Sequence, residues 1–239
     1  MRIVGVLAPG ACSSVEGVLG HGDDPRMLLW RHGWMLSHLL STHLDDDGIV
    51  LTAQVRPRTH DARPPKVRNR GLDPRLEFAP GEVAVPRQRI AAYAIVRSRR
   101  GVLGTQCSTR TAIPGLWQLP GGGLEEGETP SAGEVREITE ETAQQVHIDR
   151  LIDVQSDHWI GRSPTGVLED FQALRIIYTA TCDSPTQPQV LDVDGTTMSA
   201  SWVPLRRWRS LPWTSGARSL LDRHLPQVSL ETENSPARG

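Results

Sequence analysis

With 239 residues, 28 acidic against 26 basic side chains and a formal charge of −2, the chain has room for one large domain or a domain with an extension. That balance does not favour nucleic acid or an anionic membrane as the main partner, and no run approaches the ~18 apolar residues of a membrane span. Three widely spaced cysteines, Cys12, Cys107 and Cys182, give neither a C-x-x-C zinc pair nor a disulfide framework, so reduced thiols in a cytoplasmic setting are expected.

In chain order, MRIVGVLAPGAC carries one positive charge and an apolar run that Pro9 and Gly10 break, too short for the core of an export signal. Its first residues predict a strand over Arg2–Leu7. A helix follows, with Asp24 as N-cap and Pro25 in the first turn. Met27, Trp30, Trp34, Leu36, Leu39 and Leu40 carry its near-helical spacing onward, although Gly33 interrupts it. Ile49–Val55 predicts a second strand. Residues 1–55 hold few core positions, so their fold is left open, as is their role as lid, dimerisation arm or tail. Residues 56–87 contain six prolines and an excess of arginine and predict an extended or disordered linker.

From residue 88 to 228 the pattern is that of one domain, and residues 229–239 read as a frayed tail. RIAAYAIVRS (89–98) and GVLGTQCS (101–108) predict a hairpin across an Arg-Arg-Gly turn. A glycine run, Gly121-Gly122-Gly123, precedes a helix over about 131–142 with Thr129 as N-cap and Pro130 at the first helical position. Apolar stretches at 146–154, 171–182 and 199–204 follow, the last two as strands, then a closing helix around 216–224. Strands with a helix between them and no regular βαβ repeat predict an α+β fold.

The helix after the glycine run raises the functional question. Glu137, Glu140 and Glu141 stand at i, i+3 and i+4 and share one face, with Glu134 on the same side. Like charges at these spacings cost a few tenths of a kcal/mol per pair in an isolated helix. A divalent cation removes that cost, because a hard ion takes converging carboxylate oxygens as ligands. A solvated acidic face is the alternative for the helix taken alone.

The spacing Gly122-x5-Glu128-x7-Arg136-Glu137-Ile138-x-Glu140-Glu141 resembles the signature of the Nudix hydrolases, with every charged position filled. The signature ends in glycine and an aliphatic residue, where this chain has Ala143 and Gln144. Alanine in a left-handed helix end costs about 1 kcal/mol, so the departure bears on the helix end and its packing, not on the carboxylates.

The resemblance implies an α/β/α sandwich with a mixed sheet over about residues 89–225, and hydrolysis of a nucleoside diphosphate linked to another group. It also implies Mg²⁺ or Mn²⁺ as cofactor and water attacking phosphorus. Glu140 and Glu141 are then metal ligands, Glu137 is a third ligand or the base that orients water, and the carbonyl of Gly121 or Gly122 completes the shell. Arg136 holds Glu128 or Glu137, and Glu128 pins the loop to the helix. Glu169 and Asp170, at the start of a strand, are candidates for an additional acid or base. Asp192 and Asp194 are expected to shape a turn around Gly195, and Trp117 to pack in the core. No downstream array of the NADH type is present, and Pro164 does not stand where the ADP-ribose type has its proline, so the nucleotide derivative is not named. A nucleotide-sensing domain without catalysis is the competing reading. A homodimer is left open.

Overall fold

Asp24 starts the first helix. Its carboxylate accepts the backbone N–H groups of Arg26 and Met27 at 2.8 and 3.0 Å, and Pro25 takes the first helical position. The helix, α1, covers Pro25–Arg31 and stops at Gly33, whose φ of 84° is a left-handed value that glycine adopts without a Cβ clash. The computed structural model describes residues 1–67, 71–72, 76–163, 165–192 and 195–233; Pro164, Asp194 and the last six residues of the expected tail lie outside them.

The helical spacing that runs from Met27 to Leu40 is therefore misleading beyond Gly33. Trp34–Asp45 is a strand, paired antiparallel with Gly48–Pro57, and register shifts at Leu36/His38 and Leu39/Ser41 break its two-residue alternation. Those irregularities hide the strand in the sequence, and cross-strand pairing overrides the helical spacing of its leucines. Numbered in order, the N-terminal strands are β1 (Arg2–Val6), β2 (Ser13–Val18), β3 (Trp34–Asp45) and β4 (Gly48–Pro57), in the sheet order β2-β1-β4-β3. β1 is parallel to β4 and antiparallel to β2, so this sheet is mixed. Ile3, Leu29, Leu51 and Ala53 are fully buried around it.

The later strands are β5 (Gly71–Leu72), β6 (Val85–Ser98), β7 (Gly101–Cys107), β8 (Trp117–Gln118), β9 (Gly121–Gly123), β10 (His147–Arg162), β11 (Leu168–Thr181) and β12 (Thr197–Val203). Their sheet order is β12-β7-β6-β11-β10-β5, with β8 on β7 and β9 on β6. The helices are α2 (Pro130–Thr142) and α3 (Ser215–Glu233), with a 3₁₀ turn at Trp208–Ser210. Mixed sheets with three α-helices among the described residues make this an α+β fold. The hairpin expected across Arg99-Arg100-Gly101 is present, with Ser98 opposite Gly101 and Arg97 opposite Val102.

The chain divides into two compact units. The first consists of Met1–Ala92, Gly122–Gly133 and Arg150–Tyr178, so the N-terminal residues share a unit with strands from the middle of the chain. Arg26 reaches from α1 to the buried carboxylate of Asp153 and donates to the Val154 carbonyl at 2.7 Å. Thr42 and Tyr178 share a hydroxyl–hydroxyl bond of 2.6 Å. Within 56–87, Glu82 pairs with Arg162 at 2.8 Å, and β5 runs parallel to β10. The second unit holds Tyr93–Gly121, Glu134–Asp149 and the chain from Thr179 onward. Its core gathers Ile95, Leu103, Leu119, Ile138 and Leu221, all at most 2% exposed. Trp117 is half-buried and packs on Trp213 with ring centroids 6.0 Å apart.

Candidate active site

The sequence positions for α2 hold. Thr129 Oγ1 accepts the Ala132 N–H at 3.3 Å, Pro130 opens the helix and Thr142 closes it. At the far end the chain turns through Ala143 at φ 53°, the only positive φ of a non-glycine residue among those described. The turn expected of glycine is made by alanine. Gln144 secures it: its buried amide donates to the Thr142 carbonyl at 3.1 Å and to Thr186 Oγ1 at 2.8 Å, and accepts the Thr186 N–H at 3.0 Å. The segment before β12 bonds two carbonyls of this helix end. Leu191 N–H and Asp192 N–H both donate to Glu140 O, and Gln189 N–H donates to Thr142 O.

The four glutamates fall into two environments. Glu141 is 5% exposed, with Oε2 accepting the Gly121 N–H at 3.0 Å and Oε1 accepting the Thr197 hydroxyl. Burial pushes its carboxyl up to about 7; the Thr197 and Gly121 bonds pull it down, and the charges of Glu137 and Asp192 push it further up. Glu134 is completely buried, and neither of its carboxylate oxygens has a hydrogen-bond partner among the described residues. Burial holds its carboxyl well above the usual carboxylate range, with Glu141 and Glu137 adding to the effect.

Glu137 and Glu140 are more open, with side chains 18% and 45% exposed. Arg136 lies between them and donates from Nη1 to Glu137 Oε1 at 3.1 Å and to Glu140 Oε2 at 3.0 Å. The arginine thus holds two glutamates of the acidic face, Glu137 and Glu140. A buried carboxylate lacking both donor and counter-charge is costly. Glu134, Glu137, Glu140 and Glu141 stand on one helix and are the side chains that could hold a hard divalent cation.

Gly122 lies in β9 next to Gly121. Glu128 closes a turn, its Oε2 accepting the Glu125 N–H at 3.1 Å. Glu169 is paired with Arg87 at 3.2 Å, and Asp170 meets His158 at 2.6 Å and His21 at 3.6 Å. Sequence reasoning gave no role to Thr197 and took Asp192 only as a turn former; both act electrostatically on Glu141. Of Glu134, the helical period gave the face but not the complete burial.

Comparison with known proteins bears on the family. The NUDIX-domain profile matches residues 87–224. The MutT-like protein of Streptomyces ambofaciens is 47% identical over 51 residues, 21% of this chain and 33% of that protein. Nudix hydrolase 26 of Arabidopsis thaliana, a chloroplastic protein, is 42% identical over 53 residues, 22% of this chain and 23% of that protein. The matches thus span a third or less of these curated relatives. The MutT protein of Methanosarcina mazei is similar in structure at 19% identity, with a TM-score of 0.45 over 65% of this chain and all of that one. With the family profile covering more than half of its length and every charged position of the signature filled from Glu128 to Glu141, the chain belongs to the NUDIX family.

Proposed function

We propose that the chain hydrolyses a pyrophosphate bond in a nucleoside diphosphate linked to another group, with Mg²⁺ or Mn²⁺ held by Glu137, Glu140, Glu141 and the Gly122 carbonyl. The observation that carries this reading is the charge imbalance on α2. Glu141 is buried with its carboxyl pushed up to about 7, and Glu137 and Glu140 share the one guanidinium of Arg136. When bound, the metal supplies Lewis-acid stabilisation of phosphate oxygens and acidifies a coordinated water.

The chain's own residues supply orientation. Thr197 and Gly121 fix both oxygens of Glu141, so this carboxylate keeps one rotamer while its charge is tuned by the same two donors. Arg136 fixes the spacing of Glu137 and Glu140. Glu137 is the group proposed to orient the attacking water, since it stands on the same helix as Glu140 and Glu141.

The test is product release from a panel of nucleoside triphosphates, dinucleoside polyphosphates, ADP-ribose, NADH and nucleotide sugars, with Mg²⁺ or Mn²⁺ and with Glu141→Gln and Glu140→Gln as controls. Metal-dependent turnover that both substitutions abolish supports hydrolysis. Tight nucleotide binding without turnover across the panel overturns it in favour of a sensing domain.

A further inference from the structure

A second cluster of metal-ligating side chains lies outside the α2 face. It joins His21, from the loop between β2 and α1, to His158 on β10 and Asp170 on β11, strands that are neighbours in the sheet. One ligand atom from each lies within 4.8 Å of the others. His158 Nε2 is 2.6 Å from Asp170 Oδ1, and His21 Nε2 is 3.6 Å from Asp170 Oδ2. The two imidazole rings are nearly perpendicular, at 88° with centroids 5.1 Å apart, so they meet edge to face and both present nitrogen to one carboxylate.

We propose that His21, His158 and Asp170 form a Zn²⁺-class site, with water as the fourth ligand. Tetrahedral bonds of about 2.0–2.1 Å place ligand atoms roughly 3.3 Å apart, inside the 4.8 Å within which one ligand atom from each side chain already lies. Two imidazoles with one carboxylate suit Zn²⁺, whereas Mg²⁺ and Mn²⁺ prefer the all-oxygen set on α2. The side chains are 26%, 16% and 15% exposed, so the ion has a way in and a coordinated water has room.

The loop that carries His21 is already held in place. Gly22 N–H donates to Gln172 Oε1 at 2.7 Å, Gln172 Nε2 donates to the Asp23 carbonyl at 2.7 Å, and Gln88 Nε2 donates to the Gly20 carbonyl at 3.3 Å. Gln172 itself is fully buried. Gly22 has φ 85°, and a Cβ there would sit 3.1 Å from the His158 ring, so glycine is required for the loop to lie against that imidazole. His21 precedes the family-matched residues, whereas His158 and Asp170 lie within them. The ion would clip the N-terminal segment to β10 and β11, inside one compact unit.

The experiment is equilibrium dialysis of untagged, chelator-stripped protein against Zn²⁺ in excess Mg²⁺, with Co²⁺ absorption as a second readout, for wild type, His21→Ala and His158→Ala. The expected result is one Zn²⁺ equivalent in wild type whose affinity falls at least about tenfold in either variant, with the visible Co²⁺ bands lost. A zinc-induced rise in melting temperature should be present in wild type and absent in His21→Ala. Should His158→Ala not fold, His21→Ala decides, since its loop position leaves the strands intact. Equal zinc stoichiometry and affinity in wild type and His21→Ala overturn the site and leave a hydrogen-bonded histidine–aspartate cluster.

Discussion

The hydroxyl of Thr197 donates to Oε1 of Glu141, joining the first residue of β12 to the last buried carboxylate of α2. This bond favours the ionised carboxylate, opposing the burial that pushes it up to about 7. Thr197→Val keeps the shape and removes the donor. A hydrogen bond to a charged group is worth about 1.5–3 kcal/mol, so the Glu141 carboxyl should rise by roughly 1–2 pH units. Mn²⁺ binding, followed by titration at several pH values, should then need a correspondingly higher pH in the variant. An unchanged pH midpoint would show that the hydroxyl does not act on the ionised form.

The raised carboxyls of Glu141 and Glu134 fix the sign of a stability profile in chelator. Each folded-state value lies above the unfolded value of 4.5, so the native protein binds the proton more tightly. The stabilisation is fully present below pH 4.5, and the Glu141 share is lost as pH rises through about 7. That share is roughly 3 kcal/mol as an upper figure. Thermal melts of Glu141→Gln against wild type should show wild type losing more stability between these limits. Added Mg²⁺ or Mn²⁺ should flatten the wild-type curve above pH 7, because a bound cation favours the ionised form. Parallel curves for the two proteins in chelator would contradict the linkage.

The acidic face of α2 was legible because helical period and fixed spacing are local properties, and Thr129, Pro130 and the glutamates stand within one element. Long-range contacts were not. Thr197 lies 56 residues from Glu141, and only the fold brings its hydroxyl to the carboxylate. Glu134 shares the helical face in sequence, yet its complete burial depends on what packs over it. β3 was misread because two register irregularities erase the alternation that identifies a strand, while its leucines mimic a helix. The N-terminal residues looked poor in core positions, yet Ile3, Leu29, Val50, Leu51 and Ala53 are buried there, brought together by the β1–β4 and β3–β4 pairings that local spacing does not show.

Ala143 gives a test of the helix end. At φ 53° it bears a Cβ penalty that glycine avoids, so Ala143→Gly should stabilise the protein by about 1 kcal/mol in urea unfolding. Gln144→Ala should act in the opposite direction, by roughly 2 kcal/mol, since it leaves the Thr186 N–H and the Thr142 carbonyl without this amide. If Ala143→Gly is destabilising instead, the left-handed turn is not the conformation that limits this helix end.

Two arginines of α1 separate a structural ion pair from a surface one. Arg26 meets Asp153, whose side chain is 4% exposed, and also donates to the Val154 carbonyl; Arg31 meets Asp23 at 3.3 Å, with side chains 64% and 28% exposed. Removing the cation from a buried carboxylate costs about 3 kcal/mol or more, whereas an exposed pair contributes well under 1 kcal/mol. Arg26→Ala should therefore lower the urea midpoint strongly while Arg31→Ala leaves it nearly unchanged. Because Arg26 lies upstream of residue 87, a strong effect would mean that the segment before the family-matched region is part of the cooperative fold. Equal midpoints for the two variants would instead make that segment an appendage whose contacts to β10 add little to stability.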